Sequence, residues 1–337
     1  MPDLNILRED LEPLREVMKK QGYYFANEHT VLKTCSWTRN ALTQKRYCYK
    51  CKFYGIESHR CIQMSPAAFW CWNACVHCWR LRPQDVGLSW NETRMPNFDG
   101  DISELVDRII EGQKRLLSGY KVHSKVEQRM FEEAMNPKHV AISLTGEPTL
   151  YNKLEDLLKE FHKRGLSTFL VTRGVRPDVL LNLQEKPSQL YISMEAYNRE
   201  MYEWLNQPLV PRAWEKTMET LRGLPDYGRP TVLRITLMRN INMDDNAIKG
   251  FSKIIDIMQP TYIEPKAYMY VGASMLRLTK ENMPTHEEVM SFAEKLSKET
   301  GYPIRSESKP SRIALLSKLE KPIRFGKGCP GGWSGPD

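Results

Sequence analysis

From about residue 100 onward the sequence alternates short apolar runs with amphipathic stretches of helical period, and few folds accept a chain written that way. Leu105, Val106, Ile109, Ile110, Gln113, Leu116 and Leu117 form one helical stripe, followed by the strand-like VAISLTG from Val140. Leu154, Leu157, Leu158 and Phe161 recur at i, i+3, i+4 and i+7, and TFLVT follows from Thr168. QLYISMEA from Gln189, TVLRITLM from Thr231 and TYIEPKAYM from Thr261 read as further strands. Helical stretches lie around 199–222 and 244–258, and a last helix carries Val289, Phe292, Ala293 and Leu296. Strands separated by helices of this length imply βαβ units and a parallel sheet. With one more strand before Cys71 there are about six units, too few for an eightfold barrel. The expected fold is therefore α/β, a partial (β/α)6 barrel.

The flanks follow other rules. Leu7, Leu11, Leu14 and Met18 share one face of an N-terminal helix, while Thr34–Arg82 is rich in cysteine and aromatics and keeps no period. The expected division is an N-terminal extension over 1–64, a core over 65–300 and a basic C-terminal extension over 301–337. The last segment, with RIALL and then SKLEKPIRFGKGCPGGWSGPD, reads as a surface tail; the alternative is a clamp in which Lys309 and Arg312 meet a nucleic-acid backbone. At 41% hydrophobic and 27% charged residues the chain has the composition of a globular protein. It has no apolar run of membrane-spanning length, and the acidic start MPDLNILREDLEPLREV lacks the order of a signal peptide, so a cytoplasmic protein is expected. The net charge of +8 suits a polyanionic partner without requiring one.

Seven of the eight cysteines fall between Cys35 and Cys78, which in a chain of this kind points to metal or redox chemistry rather than disulfides. SPAAFWCWNACVHCWRLRP sets Cys71, Cys75 and Cys78 at x3 and x2 spacing. Three thiolates can hold three corners of a 4Fe-4S cluster and leave the fourth iron open, whereas structural zinc, the alternative, normally closes its shell with four ligands.

C-x3-C-x2-C after a first strand, followed by βα units, resembles the radical S-adenosylmethionine (SAM) superfamily. The resemblance implies that the open iron chelates SAM and that an electron from the cluster releases a deoxyadenosyl radical. His77 stands where an aromatic residue is common. SLTGEPTL is similar to the superfamily's glycine-rich element after the second strand, which would set the Gly146 backbone and the Glu147 side chain against the SAM ammonium; Ser193 and Glu195 would reach its ribose.

Cys35, Cys48 and Cys61 are a second set, spaced 13 and 13. Together with HCWRLRP and YIEPKAYMYVGASMLRL, they make the chain resemble the tRNA 4-demethylwyosine synthase family in its single-domain archaeal form. That resemblance implies a second 4Fe-4S cluster on Cys35, Cys48 and Cys61. Cys51 departs from the pattern and leaves a four-cysteine cluster or a zinc site as alternatives. It further implies that carbons of pyruvate are condensed with N1-methylguanosine in the anticodon loop of tRNA-Phe, which is carbon–carbon lyase chemistry, with an external one-electron donor and a monomeric enzyme. Lys50, between Cys48 and Cys51, would anchor pyruvate as a Schiff base. For the base, stacking on Trp79, Trp90, Tyr268 or Tyr270 is expected, with Arg80 and Arg82 on phosphate. Cys329 is expected to be structural or incidental. Two other readings are a radical SAM enzyme acting on a small molecule or peptide, and a zinc-stabilised RNA-binding protein.

Overall fold

The computed structural model describes residues 4–88 and 92–328, with side chains from Leu11 onward. Among these residues ten strands form one sheet: β1 (Tyr24–Phe25), β2 (Val31–Leu32), β3 (Cys61–Ser65), β4 (His139–Ile142), β5 (Ser167–Thr172), β6 (Gln189–Met194), β7 (Thr231–Leu237), β8 (Tyr262–Ala267), β9 (Ile304–Ser308) and β10 (Ile313–Leu316). Their order is β1-β2-β3-β4-β5-β6-β7-β8-β10-β9. β3 to β8 are parallel neighbours throughout, and the pairs at both ends of the sheet are antiparallel.

The period-two alternation of the strands separates two faces. Ile62, Val140, Leu170, Ile192, Leu233 and Ile263 point outward into the main core, shared with the helices Ile102–Leu117, Leu154–Lys163, Ala213–Gly223, Asp245–Met258 and His286–Thr300. Phe169, Tyr191, Val232 and Tyr262 point the other way and pack against Tyr49, Phe53 and Tyr54. With the crossover helices all on the outer face, the parallel strands curl around the inner one as six staves of an incomplete barrel.

Local departures have local causes. The stretch 199–222 is two helices, Arg199–Asn206 and Ala213–Gly223. Between them Pro208 and Pro211 cannot donate backbone hydrogen bonds, and Gln207 and Arg212 take left-handed φ of 43° and 57°. The short helices Ser36–Gln44 and Tyr49–Tyr54 give the unpatterned cysteine-rich segment its shape. The expected edges of the core fall within the sheet, since the first parallel strand starts at Cys61 and β9 and β10 lie beyond residue 300.

The segment after β10 returns to the sheet. The Phe325 N–H donates to the Tyr54 carbonyl at 2.9 Å and the Gly328 N–H to that of Gly55 at 2.9 Å. The Ile323 N–H donates to the Tyr262 hydroxyl at 2.7 Å, and the Phe325 ring meets Phe169 edge-on at 5.2 Å. Residues 323–328 are thus a strap across the N-terminal ends of the strands, the floor of the half-barrel, and not a free tail. Lys309 pairs with Glu287 at 3.4 Å, and Arg312 donates to the Pro284 carbonyl at 2.8 Å.

Candidate active site

The loop that leaves β3 is fixed before it reaches its first cysteine. The Ala68 N–H donates to the His29 carbonyl at 3.0 Å, and the Glu147 N–H donates to the Trp70 carbonyl at 2.8 Å. Farther on, Cys71 donates to the Glu92 carbonyl, Ala74 to that of Gln207 and Val76 to that of Leu205. Gly146 has φ +67°, and a Cβ there would stand 1.8 Å from the Ala67 oxygen. The glycine is required because the β4 loop presses its backbone against the cysteine loop.

Cys71, Cys75 and Cys78 are free thiols lining one cavity of about 350 Å3, together with Gly146, Glu147, Ser193 and Glu195. The expected SAM-site residues therefore do come together. Burial pushes the Cys71 thiol up to about 12 and raises that of Cys75. Three thiols lining one cavity can each bind an iron as a thiolate, so the donor set fits a 4Fe-4S cluster. Glu147 is engaged within its own neighbourhood: Oε1 accepts from the Thr149 N–H, the Thr149 hydroxyl at 2.8 Å and the Thr172 hydroxyl at 2.7 Å, and Oε2 from the Arg173 N–H at 3.0 Å.

Arg173, just past β5, is a site residue that sequence reasoning missed. Its guanidinium donates to Cys75 Sγ at 3.2 Å, His77 Nε2 at 2.9 Å and the Ser193 carbonyl at 3.3 Å, and it forms an ion pair with Glu195. Glu195 also accepts from Asn206 at 3.2 Å. Although burial alone would raise it, the Arg173 charge holds the Glu195 carboxyl well below the usual range.

The second triplet lies apart from the first. Cys35 and Cys48 are the N-caps of the helices Ser36–Gln44 and Tyr49–Tyr54, and Cys61 opens β3. All three are free, and their charges act on one another. Burial pushes the Cys48 and Cys61 thiols up to about 12. Cys51 is different: it is disulfide-bonded and buried in a separate apolar cluster with Leu42, Tyr47 and Leu117. It is not a fourth member of the set. Cys329 lies outside the described residues.

Lys50 projects into the half-barrel, with Nζ 4.4 Å from the Tyr191 ring centroid and 5.0 Å from that of Phe169. Arg234 of β7 sits on the same Tyr191 ring at 4.5 Å. It binds the fully buried Glu264 of β8 through Nε at 3.1 Å and Nη2 at 2.7 Å, and Glu264 also accepts from the Tyr54 hydroxyl at 2.6 Å. Arg234 lines the cavity of Cys71, Cys75 and Cys78, so this polar ladder joins Lys50 to that chamber.

Several expected RNA contacts have structural partners instead. Arg80 is buried against Glu92 at 2.7 Å, Arg82 donates to the Ala74 carbonyl at 2.5 Å, and Tyr268 is buried with its hydroxyl on Ser274. Tyr270 packs beside Tyr268 in a small core cluster. Trp79 remains exposed, as do Val271, Met275 and Leu276. Trp79 and Val271 line both the chamber and a second pocket that contains Cys35. Trp90 lies outside the described residues.

A half-barrel of six parallel strands, with a three-cysteine loop after the first and a glycine-held turn after the second, defines a radical SAM enzyme, and residues 66–249 match the model of the radical SAM superfamily. Residues 257–318 match a second model, described as wyosine base formation. The chain belongs to the family of S-adenosyl-L-methionine-dependent tRNA 4-demethylwyosine synthases. It is 42% identical over 311 residues to the member from Pyrococcus abyssi, covering 91% of this chain and 89% of that one. It is 39% identical to the member from Methanocaldococcus jannaschii, with 93% and 98% covered. A solved structure of TYW1 with a lysine-pyruvate adduct bound superposes with a TM-score of 0.81 at 36% identity, covering 94% of this chain and 98% of that one. Family membership implies a 4Fe-4S cluster and SAM, which Cys71, Cys75 and Cys78 and the chamber they line would hold. No helix among the described residues is long and apolar enough to cross a membrane.

Proposed function

We propose that this chain forms 4-demethylwyosine in tRNA by joining carbons of pyruvate to N1-methylguanosine 37 of tRNA-Phe, a carbon–carbon lyase reaction in which Lys50 holds pyruvate as an imine. The reading rests most heavily on Lys50 itself, a buried amine on the Tyr191 ring, between the charges of Cys48 and Cys61 and those of Arg234 and Glu264. A relative that matches nearly the whole chain carries a lysine-pyruvate adduct. For the imine to form, the amine nitrogen adds to C2 of pyruvate and the carbonyl oxygen leaves as water, which requires the neutral amine. Burial, and then the Arg234 charge, lower the proton affinity of Lys50 in that direction.

Cys35, Cys48 and Cys61 would hold a second 4Fe-4S cluster beside that lysine. The first cluster and SAM, when bound, supply one-electron chemistry able to take hydrogen from an unactivated methyl group. Gly146, Glu147, Ser193 and Glu195 would shape the SAM pocket, with Arg173 fixing Glu195. The guanine base would enter past Trp79 and Val271, which border both the chamber and the Cys35 pocket. An external donor would deliver the electron to a monomeric cytoplasmic enzyme.

Borohydride reduction of the anaerobic holoenzyme with labelled pyruvate should leave the label on the peptide that contains Lys50. Lys50→Ala should lose both the label and the tricyclic product while retaining iron. Full product formation by Lys50→Ala would reduce Lys50 to a bystander.

A further inference from the structure

The inner wall carries one more lysine that neither the cysteine sites nor the Lys50 chemistry uses. Lys266 lies on β8 in register with Thr236 of β7, and Glu264, two residues earlier, is in register with Arg234. Residues two apart on a strand share a face, so Lys266 and Arg234 are diagonal neighbours on the wall. Both line the chamber of Cys71, Cys75 and Cys78. Glu264 is the carboxylate nearest to hand, and it is already committed to Arg234 and to the Tyr54 and Tyr49 hydroxyls. Among the described residues the Lys266 amine has no hydrogen bond or ion pair, and Arg234 bonds through Nε and Nη2 only, leaving Nη1 unused. The Tyr191 hydroxyl, in the same cluster, is buried without a hydrogen-bond partner.

We propose that Lys266 and the Nη1 edge of Arg234 form a carboxylate-binding subsite on the inner wall, which takes the acid end of a short α-keto acid while its carbonyl reaches Lys50. The identity of that acid rests on the Lys50 reading; the carboxylate specificity does not. Two cations facing a chamber with one saturated carboxylate between them make an anion hole, and a guanidinium edge beside an ammonium suits a planar carboxylate. Arg234 is the physical link, because it lines the chamber and shares the Tyr191 ring with the Lys50 amine. Burial, then the Arg234 charge, push the Lys266 amine down to about 8, the state of a cation short of a counter-ion. Lys266 and Glu264 also lie within the stretch that matches the wyosine model, outside the part matched by the general radical SAM model.

The test separates the subsite from the imine by using oxamate, a pyruvate isostere whose amide carbonyl does not condense with an amine. Titrated calorimetrically into anaerobic holoenzyme, oxamate should bind the wild type and Lys50→Ala alike. It should bind Lys266→Met on the order of ten- to hundredfold more weakly, the loss of one charge-assisted hydrogen bond, with Lys266→Arg in between. Borohydride trapping is run in parallel with pyruvate and with hydroxyacetone, which has the carbonyl but no carboxylate. Lys266→Met should require more pyruvate for half-maximal label and the same hydroxyacetone, at unchanged iron content. Failure of the wild type to trap pyruvate would remove the imine reading and leave the oxamate result to decide the subsite. Absence of oxamate binding to the wild type, equal affinity in Lys266→Met, or a parallel loss of pyruvate and hydroxyacetone trapping would overturn the subsite.

Discussion

Gly146 and the Ala67 carbonyl are in such close apposition that a methyl group on the glycine would lie 1.8 Å from the oxygen. The turn after β4 and the loop that leads to Cys71 therefore fit only as a pair. Gly146→Ala should cost about 1–2 kcal/mol for its left-handed φ alone, with the enforced shift of the Ala67–Trp70 backbone in addition. The expected outcome is a lower unfolding temperature together with weakened SAM binding, both measured on iron-reconstituted protein. A variant with wild-type SAM affinity would show that the loop can move aside without consequence.

Arg173 and Glu195 invite a double-mutant cycle. Arg173→Met leaves the Glu195 carboxylate buried without its cation and should destabilise the protein by about 3–5 kcal/mol. Adding Glu195→Gln removes the orphaned charge and should recover a large part of that loss. Strictly additive denaturation energies would mean that the pair does not act as a unit.

Serine in place of Cys35, Cys48 or Cys61 should lower iron by roughly half and spare SAM binding, because Cys71, Cys75 and Cys78 line a different cavity. The corresponding changes at Cys71, Cys75 or Cys78 should abolish SAM cleavage. Iron analysis and SAM cleavage on the same samples distinguish the two sets. Loss of all iron from Cys48→Ser would point to one shared centre.

His29 makes the fold acid-sensitive. Its Nδ1 donates to the Pro66 carbonyl at 2.6 Å and its Nε2 accepts from Asn27 at 2.9 Å, so the buried ring is neutral, and burial depresses its pKa to about 4. Above about pH 6.5 the ring is neutral both folded and unfolded and contributes no pH dependence. As pH falls below that value the unfolded chain takes up the proton first, so stability is lost progressively down to about pH 4, by up to about 3 kcal/mol. Urea denaturation of wild type and His29→Gln between pH 4 and 7 should give curves that differ in slope across this window. Parallel curves would exclude His29 as the source.

Much of the architecture could be read from the chain because period and spacing are local. The parallel strands β4 to β8 leave recognisable runs in the sequence, and the x3-x2 triplet is visible as a spacing, although remote residues such as His29, Gln207 and Leu205 hold its loop in place. The short helices holding Cys35, Cys48 and Lys50 left no such trace, because they run to only nine and six residues and depend on tertiary contacts. Arg173, Arg234, Glu264 and Lys266 act through neighbours far away in sequence, so no window reveals their partners. Their parity was nevertheless visible. In TVLRITLM and TYIEPKAYM the charged residues occupy one face of otherwise apolar strands, and a buried parallel strand has no solvent face on which to place them.

The strap formed by residues 323–328 gives the protein an order of assembly. Helix Tyr49–Tyr54, which carries Lys50, and the strap that hydrogen-bonds to Tyr54 and Gly55 are separated by nearly the whole chain. During synthesis the lysine and both cysteine triplets emerge early, while the floor beneath them is made last. Until residue 328 has left the ribosome, the hydrogen bonds of the strap to Tyr54 and Gly55 cannot form. Docking of the strap on Tyr54 and Gly55 therefore fixes the base of the helix that carries Lys50 from the far end of the described residues.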